Sequence, residues 1–290
     1  MSRTHDAAVR VLYRAGWVGA SRLPPRLVSR LIAVASTAAR RHDGEHVQNL
    51  RRNLTLATGR PAEPALVRAA LASYLRNLYE VLALPGWPAD AVTSRVSTVN
   101  EEILRDAYAT RGAVVALPHS GNWDLAGAWA CRTGMPVTTV AEQLADAEFR
   151  AFVDFREHLG MTVLSHRDRS TLPDLVEAVR RRRLVCLVAD RDLLGSGVPV
   201  TWGDQRVTMP GGPALVARRS GAALVPAVCS YTPTGMLITF GTEVEHRPGR
   251  DGLRDMTQDV ASFFAAEIAR RPQDWHMLQP FFPTPGDQPQ

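Results

Sequence analysis

A histidine and an aspartate, His119 and Asp124, stand five positions apart in the stretch Pro118-His119-Ser120-Gly121-Asn122-Trp123-Asp124. Imidazole is the side chain whose ordinary pKa lies closest to neutrality, so it can take a proton from an alcohol at physiological pH. A carboxylate bonded to its other ring nitrogen would fix the tautomer and stabilise the imidazolium that forms. The pair reads as a general base with an orienting acid, the alcohol coming from a substrate. A loop histidine beside a helix-capping aspartate would use the same residues. Ser120 lacks the G-x-S-x-G setting of a nucleophile. Cys131, Cys186 and Cys229 sit in apolar segments without metal-ligand spacing and read as reduced, buried thiols. With no H-E-x-x-H and no Cys/His cluster, neither a metal nor a cofactor is expected.

Further candidates fall where strands should end. Glu142 can bond Asp124, an arginine or a substrate hydroxyl, or simply face water at a helix entry. Asp190-Arg191-Asp192 places two carboxylates around an arginine, an arrangement costly to bury unless they pair with each other or with a substrate. Either Asp190 or Asp192 can complete a relay with His119, and the spacing does not choose between them. Pro210-Gly211-Gly212 opens a helix whose first amide groups can hold an anion, or forms an ordinary turn. Arg156, Arg206, Arg218 and Arg219 are candidate phosphate contacts, because guanidinium matches phosphate geometry. Trp275-His276, after the last helix, reads as a segment docked over the sheet edge rather than as a second base.

The elements that must position these residues follow from hydrophobic periodicity. Residues 112–117 form a short apolar strand and 125–130 begin a helix. Strands at 136–140, 161–164 and 184–189 alternate with helices at 146–159 and 172–183; a strand pair, 222–230 and 236–244, and a closing helix, 254–270, complete the set. This alternation predicts an α/β fold with a mainly parallel central sheet flanked by helices. Ligands bind at the carboxyl ends of such strands, where His119, Glu142 and Asp190 fall.

Residues 1–98 read as a helical segment packed on the main domain, 99–282 as the α/β core, and 283–290 as a disordered tail rich in Pro and Gln. Val9, Leu12, Tyr13, Trp17 and Val18 share one helical face with arginines elsewhere, a pattern suited to a bilayer interface or to packing on the core. Leu27, Val28, Leu31, Ile32 and Val34 begin a second helix. The basic run around Arg51 and Arg52 reads as a solvated helix face.

The chain has 290 residues and a formal charge of +5, and all 34 of its basic residues are arginine. That balance suits an anionic partner, whether phospholipid headgroups, a nucleotide phosphate or nucleic acid. No run of eighteen apolar residues occurs, so a membrane-spanning helix is not expected, and no signal-peptide pattern opens the chain.

His119-x4-Asp124 resembles the HX4D signature of the glycerolipid-type acyltransferases. His-Ser-Gly-Asn-Trp-Asp is similar to the form seen in the bacterial lipid A acyltransferases and their actinobacterial relatives. Ala189-Asp190-Arg191-Asp192, Pro210-Gly211-Gly212-Pro213-Ala214 with Gly221 to Pro226, and Asp274-Trp275-His276-Met277-Leu278-Gln279-Pro280 carry the likeness over roughly residues 10 to 282. The last block looks like that of the actinobacterial phosphatidylinositol mannoside acyltransferases. Asn49-Leu50-Arg51-Arg52-Asn53-Leu54 resembles the helix preceding the catalytic domain in these lipid acyltransferases.

The resemblance implies a glycerol-3-phosphate-acyltransferase-like fold with an N-terminal helical segment that associates with the membrane. It implies transfer of a palmitoyl group from acyl-CoA to a mannose hydroxyl of a phosphatidylinositol mannoside; direct transfer without an acyl-enzyme is expected because Ser120 lacks a nucleophile elbow and the cysteines read as buried. His119, Asp124, Glu142 and Asp192 would be catalytic, and Ser120, Asn122, Trp123, Arg156, Asp190, Arg191, Arg206, Pro210 and Gly211 would bind substrate. The partners would be acyl-CoA, a glycolipid acceptor and an anionic phospholipid surface at the cytoplasmic face of the cell membrane, with no nucleic acid and no metal. Another acceptor of the same chemistry, such as a lysophospholipid, another glycolipid or a secondary metabolite, is the alternative. A basic, non-catalytic membrane- or nucleic-acid-binding protein is the rival of a different class.

Overall fold

Strand β2 (Ala113–Leu117) is buried along all five residues, as expected of an apolar strand covered on both faces of a sheet. It lies at the middle of a seven-stranded sheet in the order β1-β9-β8-β2-β5-β3-β4. The other strands are β1 (Val96–Val99), β3 (Val137–Ala141), β4 (Thr162–Ser165), β5 (Leu184–Val188), β8 (Ala223–Tyr231) and β9 (Met236–Phe240). All neighbours run parallel except β8 and β9, the antiparallel strand pair. The computed structural model describes residues 19–141, 153–166, 168–192 and 195–283. The expected aromatic helix near the N-terminus, Glu142, the first part of the 146–159 helix and residues 284–290 lie outside them.

Alternation along the strands divides the core in two. Val114 and Ala116 of β2, Val185 and Leu187 of β5, and Leu224 and Val228 of β8 face one cluster. Helices α7 (Thr171–Arg180), α8 (Gly212–Ser220) and α9 (Gly249–Arg270) cover it. The residues between them, Val115 and Leu117, Leu184, Val225 and Ala227, face a second cluster. Helices α5 (Glu101–Arg111) and α6 (Trp123–Arg132) pack there, with α4 (Ala89–Ser94) at the edge. Each fully buried Val or Leu contributes about 1.5–3 kcal/mol relative to exposure, so the two-residue period fixes which strand face meets which layer.

Several features depart from the expectations: β1 is an edge strand of the sheet although it begins within the stretch 1–98 read as helical. An antiparallel hairpin, β6 (Val198–Trp202) and β7 (Gln205–Met209), follows β5 where no strand was expected. It packs on α9 and directs Val200, Trp202, Val207 and Met209 inward. The basic run of the helical prelude is not a solvated face. Among α1 (Pro25–His42), α2 (Glu45–Thr58) and α3 (Pro64–Ala83), it falls on α2, whose Leu50 and Leu54 are fully buried. Asn53 Nδ2 donates to the carbonyls of Met277 and Gln279 at 2.9 and 2.7 Å, and Arg52 donates to those of Phe282 and Pro283. That helix clamps the C-terminal strap across the domain.

Candidate active site

Strand register brings His119 to its partner. In the parallel pair β2 and β5, Leu117 stands opposite Val188, and the Ala189 amide donates to the Leu117 carbonyl at 2.8 Å. His119 and Asp190 each lie two residues further on, so they emerge side by side at the sheet edge. His119 Nδ1 is 2.6 Å from Asp190 Oδ1. Asp190 Oδ2 accepts from the His119 backbone amide and from the indole Nε1–H of Trp275, each at 3.0 Å. Burial by itself would raise the Asp190 pKa, but the attraction of His119 and these hydrogen bonds outweigh it and hold the carboxyl below its ordinary value. An ionised acceptor at Nδ1 keeps the imidazole proton there and leaves Nε2 with a free lone pair. The His119 side chain is 26% exposed, so a substrate can reach the ring.

The loop between strand and helix is shaped by Gly121, at φ +55°. A Cβ there would lie 2.9 Å from the Cys229 backbone on β8, so only glycine lets the loop close down on the sheet. Asn122 then caps α6, its side-chain oxygen accepting from the Leu125 amide at 2.9 Å while its Nδ2 donates to Glu80 at 3.1 Å.

Asp124 is not the residue that orients His119, contrary to the expectation from spacing. It lies in the first turn of α6, buried, where Arg156 Nε donates to its Oδ1 at 2.6 Å. With the cap position held by Asn122, the helix carries Asp124 below the loop, and Arg156 from the helical stretch 153–158 meets it there. Its second oxygen, Oδ2, is buried without a hydrogen-bond partner among the described residues.

Asp192 is likewise not the partner of His119. Its two oxygens accept from the amides of Ser196 and Gly197 at 3.3 and 2.7 Å, closing the loop after β5. Arg191, Asp192, Pro210 and Gly211 line a neighbouring pocket at the start of α8. Arg206 projects from the exposed face of β7, opposite Thr201, away from the buried face of the hairpin. Ser120 is buried in a backbone bridge to Trp275, and the Trp123 ring meets His119 edge-on at 5.2 Å.

The C-terminal block docks against this loop, as read from the sequence. Gly121 donates to the Asp274 carbonyl at 2.9 Å, and His276 donates its backbone amide to the His119 carbonyl at 2.8 Å. The His276 Nε2 lies 3.0 Å from Ser73 Oγ, which donates to Asp274 Oδ1 at 2.7 Å. Burial first, and repulsion from His119 second, push the His276 pKa down to about 3, so this imidazole stays neutral and is too weak a base to serve as a second one. Trp275 stacks on Trp202 at 5.5 Å while its indole N–H holds Asp190. Sequence reasoning did not find that bond, nor the supports from Ser73 and Glu80. Trp275 stood in a block already singled out; Ser73 and Glu80 look like ordinary residues of an amphipathic helix.

Beneath the loop runs an apolar slot. Leu117, Trp123, Asp124, Val188 and Arg156 surround its end at the sheet edge, and Ala130, Val137 and Leu184 lie towards the opposite edge. Its unfilled space totals about 580 Å³ with the mouth included, but only about 40 Å³ is wide enough to centre a water molecule. The space is narrow and mostly apolar, a lining that suits a hydrocarbon chain better than a bulky polar ligand.

The chain matches the family model of the bacterial lipid A biosynthesis acyltransferases over residues 2–284. It is 38% identical over 275 residues to the phosphatidylinositol mannoside acyltransferase of Mycolicibacterium smegmatis, covering 92% of this chain and 89% of that protein. It is 37% identical over 277 residues to the protein of the same name from Mycobacterium tuberculosis, covering 92% of this chain and 86% of that one.

Proposed function

This chain belongs to the bacterial lipid A biosynthesis acyltransferase family, and from that premise we propose that it transfers a palmitoyl group from acyl-CoA to a mannose hydroxyl of a phosphatidylinositol mannoside. The observation that carries the proposal is the pairing of His119 with Asp190 at the end of a thin apolar slot. The names of the relatives support the acceptor.

His119 Nε2 takes the hydroxyl proton as the acceptor oxygen adds to the thioester carbonyl carbon. The new C–O bond forms, the C–S bond breaks, and the departing sulfur takes the proton back from Nε2, leaving an ester and free CoA thiol. Asp190 holds the imidazole by Nδ1 and offsets its positive charge while the proton is held. Asp124 and Arg156 bind and shape the slot mouth. Trp123 positions the ring from its edge, and Ser120 and Asn122 hold the loop. Arg191, Pro210 and Gly211 bind the phosphate-bearing part of a substrate.

The reaction takes place at the cytoplasmic face of the cell membrane, on an anionic phospholipid surface. Leu27, Leu31 and Val34 support this, since they form an exposed stripe on α1 with Arg26 and Arg30 beside it. No helix among the described residues is long and apolar enough to cross a membrane.

The test is release of free thiol from palmitoyl-CoA against a panel of mannolipids, lysophospholipids and other glycolipids. Turnover with a phosphatidylinositol mannoside, abolished by His119→Ala with the fold intact, is the expected result. Turnover retained in that variant removes the mechanism, and turnover confined to another lipid removes the acceptor.

A further inference from the structure

Gly127 is the fifth residue of the ten-residue α6 and lines the apolar slot, as does Met161. Glycine in a helix interior is unfavourable relative to alanine, so its presence there calls for a reason in the space around it. The reason is close at hand: a Cβ at position 127 would lie 2.8 Å from both Sδ and Cε of Met161. The Met161 backbone is held by its amide, which donates to the Arg156 carbonyl at 3.0 Å. Only the thioether end can give way, and methionine, unbranched and flexible, readily takes another rotamer.

Gly127 lies four residues after Trp123 on the same helix, about 6 Å further along its axis. Trp123 touches His119, so the Gly127–Met161 contact falls roughly one turn below the reacting groups. A short acyl chain ends above this point, whereas a long one must pass it. We propose that Gly127 and Met161 determine the acyl-chain length the enzyme accepts, the absent side chain at 127 leaving the thioether withdrawn and the passage open. This rests on the reading of the slot as the acyl site.

The experiment compares the full-length protein with Gly127→Ala, Met161→Phe and the double variant Gly127→Ala/Met161→Ala, using acyl-CoA donors from butyryl to stearoyl and thiol release as the readout. Gly127→Ala should lower the ratio of palmitoyl to butyryl turnover by about tenfold or more, the scale on which apolar pockets discriminate chain size. The double variant should restore that ratio, because the group displaced into the slot is gone. Met161→Phe puts a bulkier, stiffer side chain at the same point of the slot and should lower the ratio too, which keeps the test open if Gly127→Ala does not fold.

An unchanged ratio in the folded single variants, or failure of the double variant to restore it, overturns the proposal. Binding of palmitate and butyrate, followed by the fluorescence of Trp123 and Trp129 in the slot wall, separates the two readings. A wild-type protein inactive on every acyl-CoA sinks the proposed reaction. The chain-length proposal then stands or falls on whether Gly127→Ala weakens palmitate binding relative to butyrate.

Discussion

Asp190 and Asp124 are buried to nearly the same degree, at 0% and 2% exposure, and each accepts from a nitrogen 2.6 Å away. They differ in what that nitrogen belongs to. Asp190 holds a titratable imidazole that remains part-exposed, so the pair can receive and return a proton. Asp124 holds a buried guanidinium, a planar cation that fixes shape and field instead of relaying a proton. Burial alone therefore does not mark a carboxylate that can take part in proton transfer. The partner and its access to solvent do.

The largest effect should come from Asp190→Asn. The amide keeps the shape but can donate to Nδ1, which moves the imidazole proton to Nε2 and removes the base. A loss of about 10²- to 10⁴-fold in kcat is expected with the fold preserved, measured by initial rates of thiol release alongside melting curves. A silent Asp190→Asn beside an inactive Asp124→Asn would exchange the two roles.

Asp124→Ala acts first on stability. It removes the carboxylate to which buried Arg156 Nε donates at 2.6 Å, and breaking a buried ion pair in this way should cost up to about 3–5 kcal/mol in urea unfolding. Removing both charges with Asp124→Ala/Arg156→Met should recover most of that loss. If the double variant were no more stable than the single one, the ion pair would not be the reason for the cost.

Trp275→Phe removes one donor to Asp190 and keeps most of the aromatic packing. A hydrogen bond to a charged group is worth about 1.5–3 kcal/mol, so the Asp190 carboxyl should titrate at higher pH. The acid limb of the rate profile should move upward with it; a profile that does not move would make the indole a packing residue only.

The smallest effect at neutral pH belongs to His276. Its folded pKa, about 3, lies below the ordinary 6.5, so between those values the unfolded chain binds the extra proton. Stability from this group is present above pH 6.5 and is lost as the pH falls towards 3. Urea midpoints of wild type and His276→Asn should therefore keep a constant difference above pH 7, and wild type should lose ground to the variant as the solution is acidified. Parallel curves would mean that His276 already titrates normally.

Much of this site could be read along the chain because its signals are local. The apolar run 113–117, the turn glycine at 121 and the small residues after Trp123 mark a strand, a loop and a helix within twenty positions, so the place of His119 was legible. The β6–β7 hairpin was not, since Val198 to Met209 shows only two short alternating runs around Gly203. Nor was the role of α2, where Asn53 and Arg52 look solvated until the strap made by residues 277–283 lies against them.

Sequence by itself determined the α/β alternation, the sheet edge that carries His119, and the shortlist of acids available to it, because hydrophobic period and turn chemistry act over a few residues. Which acid holds the imidazole was decided by tertiary structure. Leu117 and Val188 are 71 positions apart, and their alignment depends on how two strands bury their apolar faces together. That same packing turned Asp124 toward Arg156 and left a slot beside Gly127, an outcome set by side chains from separate segments filling one volume.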